Sequence, residues 1–540
     1  MANSSRKSDR FDVIVIGGGV MGSSTAYHAA KLGQKTLLIE QFDFLHHRGS
    51  SHGESRTIRT TYPEPYYRRM AIESEKLWIE AESEIGYEVY SRSKQLDIGP
   101  KNNRSLMAVI ENCEKQSVNH RILDRYQTDE HFSGRIELPD DWIAVVTDVG
   151  GVLKPTKSVA MFQTLAIKYG AVLRDKTEIV DVVRNGDDRG GVSVTSRSGE
   201  VFSGKKCVVT AGAWVSKLVE KVSNGGYRFA DTAVGNICIK ESHEVDFAIG
   251  AGFPSFASYG EPVIYGTPAS EFPDMIKVCV HGGRDCDPDK RTWGTDSEDR
   301  FGDRVDWEDG PVISQSCLYS MTPDEDYIID FLGGGFNEDV VVAGGFSGHG
   351  FKMAPLVGKI LVDLAVGGKA AAGKYEEEIK HFKVGRFEGN PKGNKKGFEE
   401  QGEFKCKFAI RFSSEVSQVY NLTLDIIINS SVERAFSAMK LIKTSTQNKM
   451  GDQFLSDYFV SYTKKVILEG ISNDTIMQIF KGIRPCRVQF STVGNIPYGG
   501  SGWYPCLLGF DSRREQEATP QFMGRPSGRG YGRRFMVPRD

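Results

Sequence analysis

No C-x-x-C pair occurs anywhere in the chain, and its nine cysteines (Cys113, Cys207, Cys238, Cys279, Cys286, Cys317, Cys406, Cys486 and Cys506) are odd in number and scattered. That usage excludes a disulfide scaffold and a structural zinc site, and it fits a reducing compartment. Long apolar runs are missing too, so no stretch reaches the roughly 20 residues needed to span a bilayer. The first ten residues, Met1 to Arg10, are polar, with no apolar leader core behind them. Nor is there an excess of charge of one sign: the formal net charge is -3. A balance so near zero gives no global attraction to nucleic acid or to an anionic membrane. These absences lead to the expectation of a soluble intracellular protein.

What is present is ordinary globular composition over 540 residues, enough for two or three domains. Phe11 to Ile16 is a β-branched run that enters a glycine turn directly. Behind the turn, Val20, Met21, Ala26, Ala29, Ala30 and Leu32 recur at helical spacing up to Gly33, and Thr36 to Ile39 is a second apolar run that ends on Glu40. The order is strand, turn, helix, strand, a βαβ unit. Further helices are predicted at about 66–84 and 156–169, several short strands between 171 and 209, and a strand from Asp339 to Gly345 followed by a helix over about 353–366. Alternation of strands and helices at both ends makes the fold α/β.

Gly17, Gly19 and Gly22 fit G-x-G-x-x-G. The first glycine makes the tight turn, the second lets backbone approach a pyrophosphate, and the third lets helix pack on strand. Met21 lies within this turn, and the helix start donates amide hydrogens to phosphate. Glu40 is placed to accept from a ribose hydroxyl, which favours FAD or NAD over NADP. The turn by itself does not separate FAD from NAD.

Four further segments bear on that choice: Ser51-His52-Gly53-Glu54-Ser55-Arg56-Thr57-Ile58-Arg59, Thr210-Ala211-Gly212-Ala213-Trp214, Cys317-Leu318-Tyr319, and Gly345-Phe346-Ser347-Gly348-His349-Gly350-Phe351-Lys352. In this order they resemble the sarcosine oxidase and pipecolate oxidase family, the plant-type members most, within the D-amino-acid-oxidase-like flavoproteins. The resemblance runs from about Phe11 to Asn394. It implies a Rossmann-like FAD-binding domain with an interleaved mixed-sheet substrate domain. The FAD is expected to be covalently attached through its 8α-methyl group to Cys317, with Val180, Gly348 and Gly350 also contributing to the cofactor site. A lone cysteine is otherwise most often a small buried hydrophobe. The resemblance further implies that Arg59 and Lys352 bind a substrate carboxylate and that Lys277 assists oxygen reduction near flavin N5. Arg56 and His52 would line the opposite flavin face, and Tyr265, Tyr319 and His281 the substrate pocket. Substrate and oxygen are then the small-molecule partners, and no metal is implied. The expected reaction oxidises a secondary amino acid, N-methyl or cyclic, to an imine with reduction of O2 to H2O2.

On this reading the FAD-binding domain comprises 8–92, 150–222 and 321–388, and the substrate domain 93–149 and 223–320. Residues 389–420, rich in turn formers and charge, are expected to be a linker. Within 421–485, Ser430-Ser431-Val432-Glu433 has capping-box spacing, and Val432, Phe436, Met439, Leu455, Phe459 and Tyr462 occupy helical faces. Residues 431–484 resemble the C-terminal dimerisation region of hAT-type transposases, which implies self-association. No partner aspartates accompany Glu433, so strand-transfer chemistry is not expected. The tail, 486–540, with Arg525, Arg529, Arg533 and Arg534 among glycines and prolines, reads as disordered. Cytoplasm and peroxisome both suit such an enzyme, and Pro538-Arg539-Asp540 is not a peroxisomal tripeptide. One departure tempers the resemblance: Ser223 to Lys240 is more polar than the family's strand there, and loss of that strand would leave a bare sheet edge beside the pocket. The competing reading is a catalytically inactive fusion that self-associates through the transposase-like helices.

Overall fold

The computed structural model describes residues 10–186, 190–222, 231–241, 247–260, 263–272, 275–281, 284–285, 287–290, 313–388, 390, 392–394, 396 and 409–410. The helical segment expected at 421–485 and the tail at 486–540 lie outside these residues, as does most of the 389–420 linker.

Phe11–Ile16 forms a strand, Val20–Lys31 a helix and Thr36–Ile39 a parallel partner strand, which is the βαβ unit read from the sequence. Along the first strand Val13 and Val15 face one core, while Ile14 and Ile16 face another. Burial on both sides explains why the run is continuously apolar instead of alternating. Each such side chain, fully buried, stabilises the fold by about 1.5–3 kcal/mol.

The sheet built around it has eight strands, in the order Ile328–Phe331, Val340–Gly344, Val201–Val209, Phe11–Ile16, Thr36–Ile39, Val172–Arg174, with Val192–Ser196 and Ile179–Arg184 added as an antiparallel extension of Val201–Val209. Helices Val20–Lys31, Pro65–Ile85, Pro155–Lys168 and Ala354–Ala371 pack on one another beside it around Tyr67, Trp78, Phe162 and Ile360. The predicted helices at 66–84, 156–169 and 353–366 are thus present, the last running five residues further.

A second sheet of ten strands follows the order Arg284–Asp285, Asp231–Glu241, Met275–Val280, Ile264–Thr267, Ser255–Ser258, Tyr90–Pro100, Trp142–Leu153, Arg56–Arg59. Ile313–Met321 pairs with Asp231–Glu241, and His120–Leu123 with Trp142–Leu153. It is mixed: Ser255–Ser258 runs parallel to Tyr90–Pro100 and its other neighbours antiparallel.

The polar 223–240 segment left open whether its strand is kept, and Asp231–Glu241 does form a strand. Asp231–Glu241 hydrogen-bonds antiparallel to both Met275–Val280 and Ile313–Met321, so this strand is paired on both sides. The physical reason is that backbone pairing on two sides needs only an extended chain. Ala233, Val234, Ile237, Cys238 and Ile239 supply enough apolar and β-branched content for that despite the polar residues among them. Among the described residues, no helix is long and apolar enough to cross a membrane.

Candidate active site

A cavity of about 870 Å³ runs from the glycine turn to the second sheet. At its first end the turn is set by backbone geometry. Gly17 has φ +103°, and a Cβ there would press on the Thr210 carbonyl oxygen; a Cβ on Gly22 would collide with the Gly17 carbonyl oxygen. Glycine is therefore obligatory at both positions. Gly19 caps the helix N-terminus, where the Val20 N–H donates to Ser51 Oγ at 3.0 Å, and Gly19, Val20 and Met21 line the cavity. Glu40, 5% exposed, accepts from the Gly18 N–H at 2.7 Å and from the Phe42 N–H at 3.0 Å. Gly17, Gly19, Met21, Glu40 and Val180 all line this end, while Gly22 stands behind it.

Midway, the buried Cys317 brings Sγ within 3.2 Å of an Arg56 Nη2–H that donates to it, and 3.9 Å from His52 Nε2. Arg56 is held in that pose by donating to the carbonyls of Ser50, His52 and Ser55. A cation against sulfur is the arrangement that favours sulfur as a nucleophile.

The far end gathers the remaining polar groups. Tyr265 and Tyr319 share a hydrogen bond at 3.0 Å between hydroxyls, and the His281 ring lies 5.6 Å from that of Tyr319. Burial, above all, drives His281 below the ordinary imidazole value, leaving it uncharged at neutral pH. Gly348 admits these rings, since a Cβ there would stand 2.7 Å from Tyr319 and 2.8 Å from His281. Lys352 sits in a single helical turn, Phe351–Met353, and its Nζ donates to Tyr62 Oη at 2.9 Å and to the His349 carbonyl at 3.0 Å. Burial first, and then the charge of Arg59, push Lys352 well below the ordinary lysine value. Among the described residues no carboxylate pairs with Lys352, whereas Arg59 at the same end has Asp97 Oδ1 at 3.4 Å.

Lys277, from strand Met275–Val280, is 1% exposed and donates to the Ser55 carbonyl at 2.6 Å. It stands behind Tyr265, 5.9 Å from the ring centroid, rather than on the cavity wall. Desolvation lowers its pKa. His52 likewise supports from behind, whereas Arg56, Arg59, Tyr265, His281, Cys317, Tyr319, Gly348, Gly350 and Lys352 line the cavity directly.

Sequence reading missed Tyr62, Tyr259 and Asp97, which contact Lys352 and Arg59. For the tyrosines nothing local marks the role. Asp97 did carry a signal, an acid between the apolar Leu96 and Ile98.

The residues present fit FAD. A glycine turn suited to a pyrophosphate and an acid suited to a ribose open the same cavity that, further in, presents Cys317 and two aromatic hydroxyls. Comparison with known proteins agrees. The FAD dependent oxidoreductase family matches residues 12–364. The chain is 57% identical over 403 residues to a probable sarcosine oxidase of Arabidopsis thaliana, covering 73% of this chain and 96% of that one. It is 35% identical over 374 residues to the peroxisomal sarcosine oxidase of Homo sapiens, covering 67% and 93%. Among solved structures, an L-proline dehydrogenase from P. horikoshii shares the fold with TM-score 0.59 at 21% identity, covering 71% of this chain and 98% of that one. NikD, an unusual amino acid oxidase in its open form, shares it with TM-score 0.59 at 23% identity, covering 68% and 97%. None of these matches supports the reading as an inactive fusion. With a family match over more than half its length and a cavity built for the cofactor, the chain belongs to the FAD dependent oxidoreductase family.

Proposed function

We propose that the protein is an FAD-dependent amine oxidase acting on the CH–NH group of a secondary amino acid, N-methylated or cyclic, such as sarcosine or L-pipecolate. The observation that carries this reading is the pair of basic side chains, the half-buried Arg59 and the buried Lys352, at the far end of the cavity that begins at the glycine turn. Two cations fix a carboxylate so that the neighbouring carbon and nitrogen face back along the cavity. FAD, when bound, would supply the two-electron acceptor for oxidation of that carbon–nitrogen bond to an imine, which water hydrolyses, with O2 as the final acceptor giving H2O2.

The chain's own groups do the rest. Gly17, Gly19, Met21 and Glu40 hold the dinucleotide portion, and Val180, Gly348 and Gly350 shape its surroundings. Cys317 is the point of covalent attachment, 8α-S-cysteinyl, with Arg56 and His52 beside its sulfur. Tyr265, Tyr319 and His281 enclose the substrate and exclude water, His281 without adding charge. Lys277 lends positive charge to oxygen reduction from behind Tyr265.

The test is peroxide release by the purified full-length chain with sarcosine, L-pipecolate and L-proline. Peroxide stoichiometric with substrate is expected, and none with any of the three overturns the reading. Self-association through 431–484 rests on sequence alone, on the apolar faces of Val432, Phe436, Met439, Leu455, Phe459 and Tyr462. Light scattering on the full chain should then read a dimer mass, and a monomer mass at all concentrations would dispose of it.

A further inference from the structure

Arg59 is the most crowded of the groups at the substrate end, and the crowding falls on one nitrogen. Its Nη1 donates to the Thr61 carbonyl oxygen and to Tyr259 Oη at 3.0 Å, and lies 3.4 Å from Thr61 Oγ1 and from Asp97 Oδ1. Among the described residues, no hydrogen bond engages Nε or Nη2 of this guanidinium. Arg59 lines the cavity with 17% of its side chain exposed, so the protein fixes one corner of the fork and leaves the other edge accessible.

The groups that do the fixing are themselves built in. Asp97 lies on Tyr90–Pro100 with no exposure at all, between Leu96 and Ile98, which turn to the apolar core. Its Oδ2 accepts from Thr61 Oγ1 at 2.7 Å and its Oδ1 from Gln95 Nε2 at 3.2 Å. Tyr259 is anchored by its own backbone N–H, which donates to the Ile98 carbonyl at 2.7 Å. Burial pushes the Asp97 carboxyl up while the Arg59 guanidinium and these hydrogen bonds pull it back. A carboxylate in such a place is costly unless a cation answers it. An aliphatic side chain would satisfy packing alone, so the acid has an electrostatic task.

We propose that Asp97, together with Tyr259, is a positioning residue for substrate binding: it pins the Nη1 corner of Arg59 so that the Nε–Nη2 edge meets a single carboxylate by two parallel hydrogen bonds. A planar fork already held in its bound orientation loses less freedom when it makes such bonds, which is why pinning matters. The inference rests on the reading of Arg59 as a carboxylate-binding residue.

The experiment uses the full-length, flavin-loaded protein and the variants R59Q, D97N and Y259F, each checked for flavin content. Three quantities are read: KM and kcat with sarcosine, and the Kd of propionate from the change in flavin absorbance. R59Q and D97N should each raise KM and the propionate Kd by about tenfold or more, with a smaller effect on kcat. Y259F should shift both in the same direction by less. If R59Q weakens propionate but D97N, with its flavin retained, leaves Kd and KM at the wild-type values, the positioning role is overturned and the Arg59 reading stands. If R59Q changes neither, the carboxylate reading itself fails and takes the proposal with it. Should D97N not retain flavin, Y259F decides, and an unchanged propionate Kd in that variant overturns the proposal.

Discussion

Cys317 lines the cavity and Lys277 stands behind Tyr265, and each bears on a different part of the proposed reaction. Lys277 is buried, its Nζ donates to the Ser55 carbonyl, and its pKa is lowered by desolvation. Its charge is therefore lost, as pH rises, earlier than the roughly 10.4 of a solvated lysine. Reoxidation of reduced flavin by O2 should fall on the alkaline side accordingly. K277M should slow that step roughly a hundred- to a thousandfold at neutral pH, and K277R, whose guanidinium stays charged, should hold its rate to higher pH. Stopped-flow reoxidation across pH checks this, and a rate indifferent to K277M would remove the lysine from oxygen chemistry. C317S should move flavin from the acid-precipitated pellet into the supernatant while leaving a folded protein. Flavin that stays with the C317S pellet would place the covalent link elsewhere.

Among the elements, the glycine turn was legible because its constraints are steric and local. Strand, turn and helix follow one another directly, and the contacts that forbid a side chain at Gly22 come from Gly17 in the same turn and from Thr210. G22A should lose FAD and destabilise the fold by about 1–3 kcal/mol or more, read as flavin content and Tm; a flavin-replete G22A with wild-type Tm would contradict the geometry. The second sheet was far less legible. Tyr90–Pro100 reads YSRSKQLDIGP, with polar residues on both faces in its first half, and Trp142–Leu153 carries Gly150 and Gly151 where a strand pattern expects side chains. The structure supplies the reason: Gln95 packs where a Cβ on Gly150 would sit, and the Tyr90 ring and Ser91 carbonyl where one on Gly151 would. Glycine marks a close cross-strand approach that one strand's sequence cannot reveal. The same holds for Arg59, Asp97 and Tyr259, brought together from three separate segments. Arg59 was found through a resemblance, whereas Asp97 and Tyr259 became visible only once the strands were paired.

At the scale of the whole molecule, the end of the described core is tied back to its interior. Arg386 forks onto Asp324, with Nε to Oδ2 at 2.7 Å and Nη2 to Oδ1 at 3.1 Å, and the Asn394 N–H donates to the same carboxylate at 2.8 Å. Both side chains of the pair are almost fully buried, at 6% and 0% exposure. Burial works against the Asp324 charge, yet the hydrogen bonds from Arg386 and Asn394 hold its pKa below the ordinary carboxylate value. A depressed folded pKa makes this stabilisation fully present above the unfolded value of about 3.9 and lost as pH falls through the folded one. D324N should therefore lower stability by roughly 3–5 kcal/mol at neutral pH and flatten the acid limb of Tm against pH below about pH 4. A D324N protein with wild-type Tm and an unchanged acid limb would show that the fork contributes nothing.

All of these groups serve one claim, that a cavity begun by a glycine turn and ended by two cations oxidises an amino acid through FAD. The most direct measurement is anaerobic mixing of the full-length, flavin-loaded protein with sarcosine while the flavin absorbance is recorded. The oxidised band should bleach, then recover on admission of air with an equivalent of hydrogen peroxide. Flavin that stays oxidised with sarcosine, and equally with L-pipecolate and L-proline, would contradict the account.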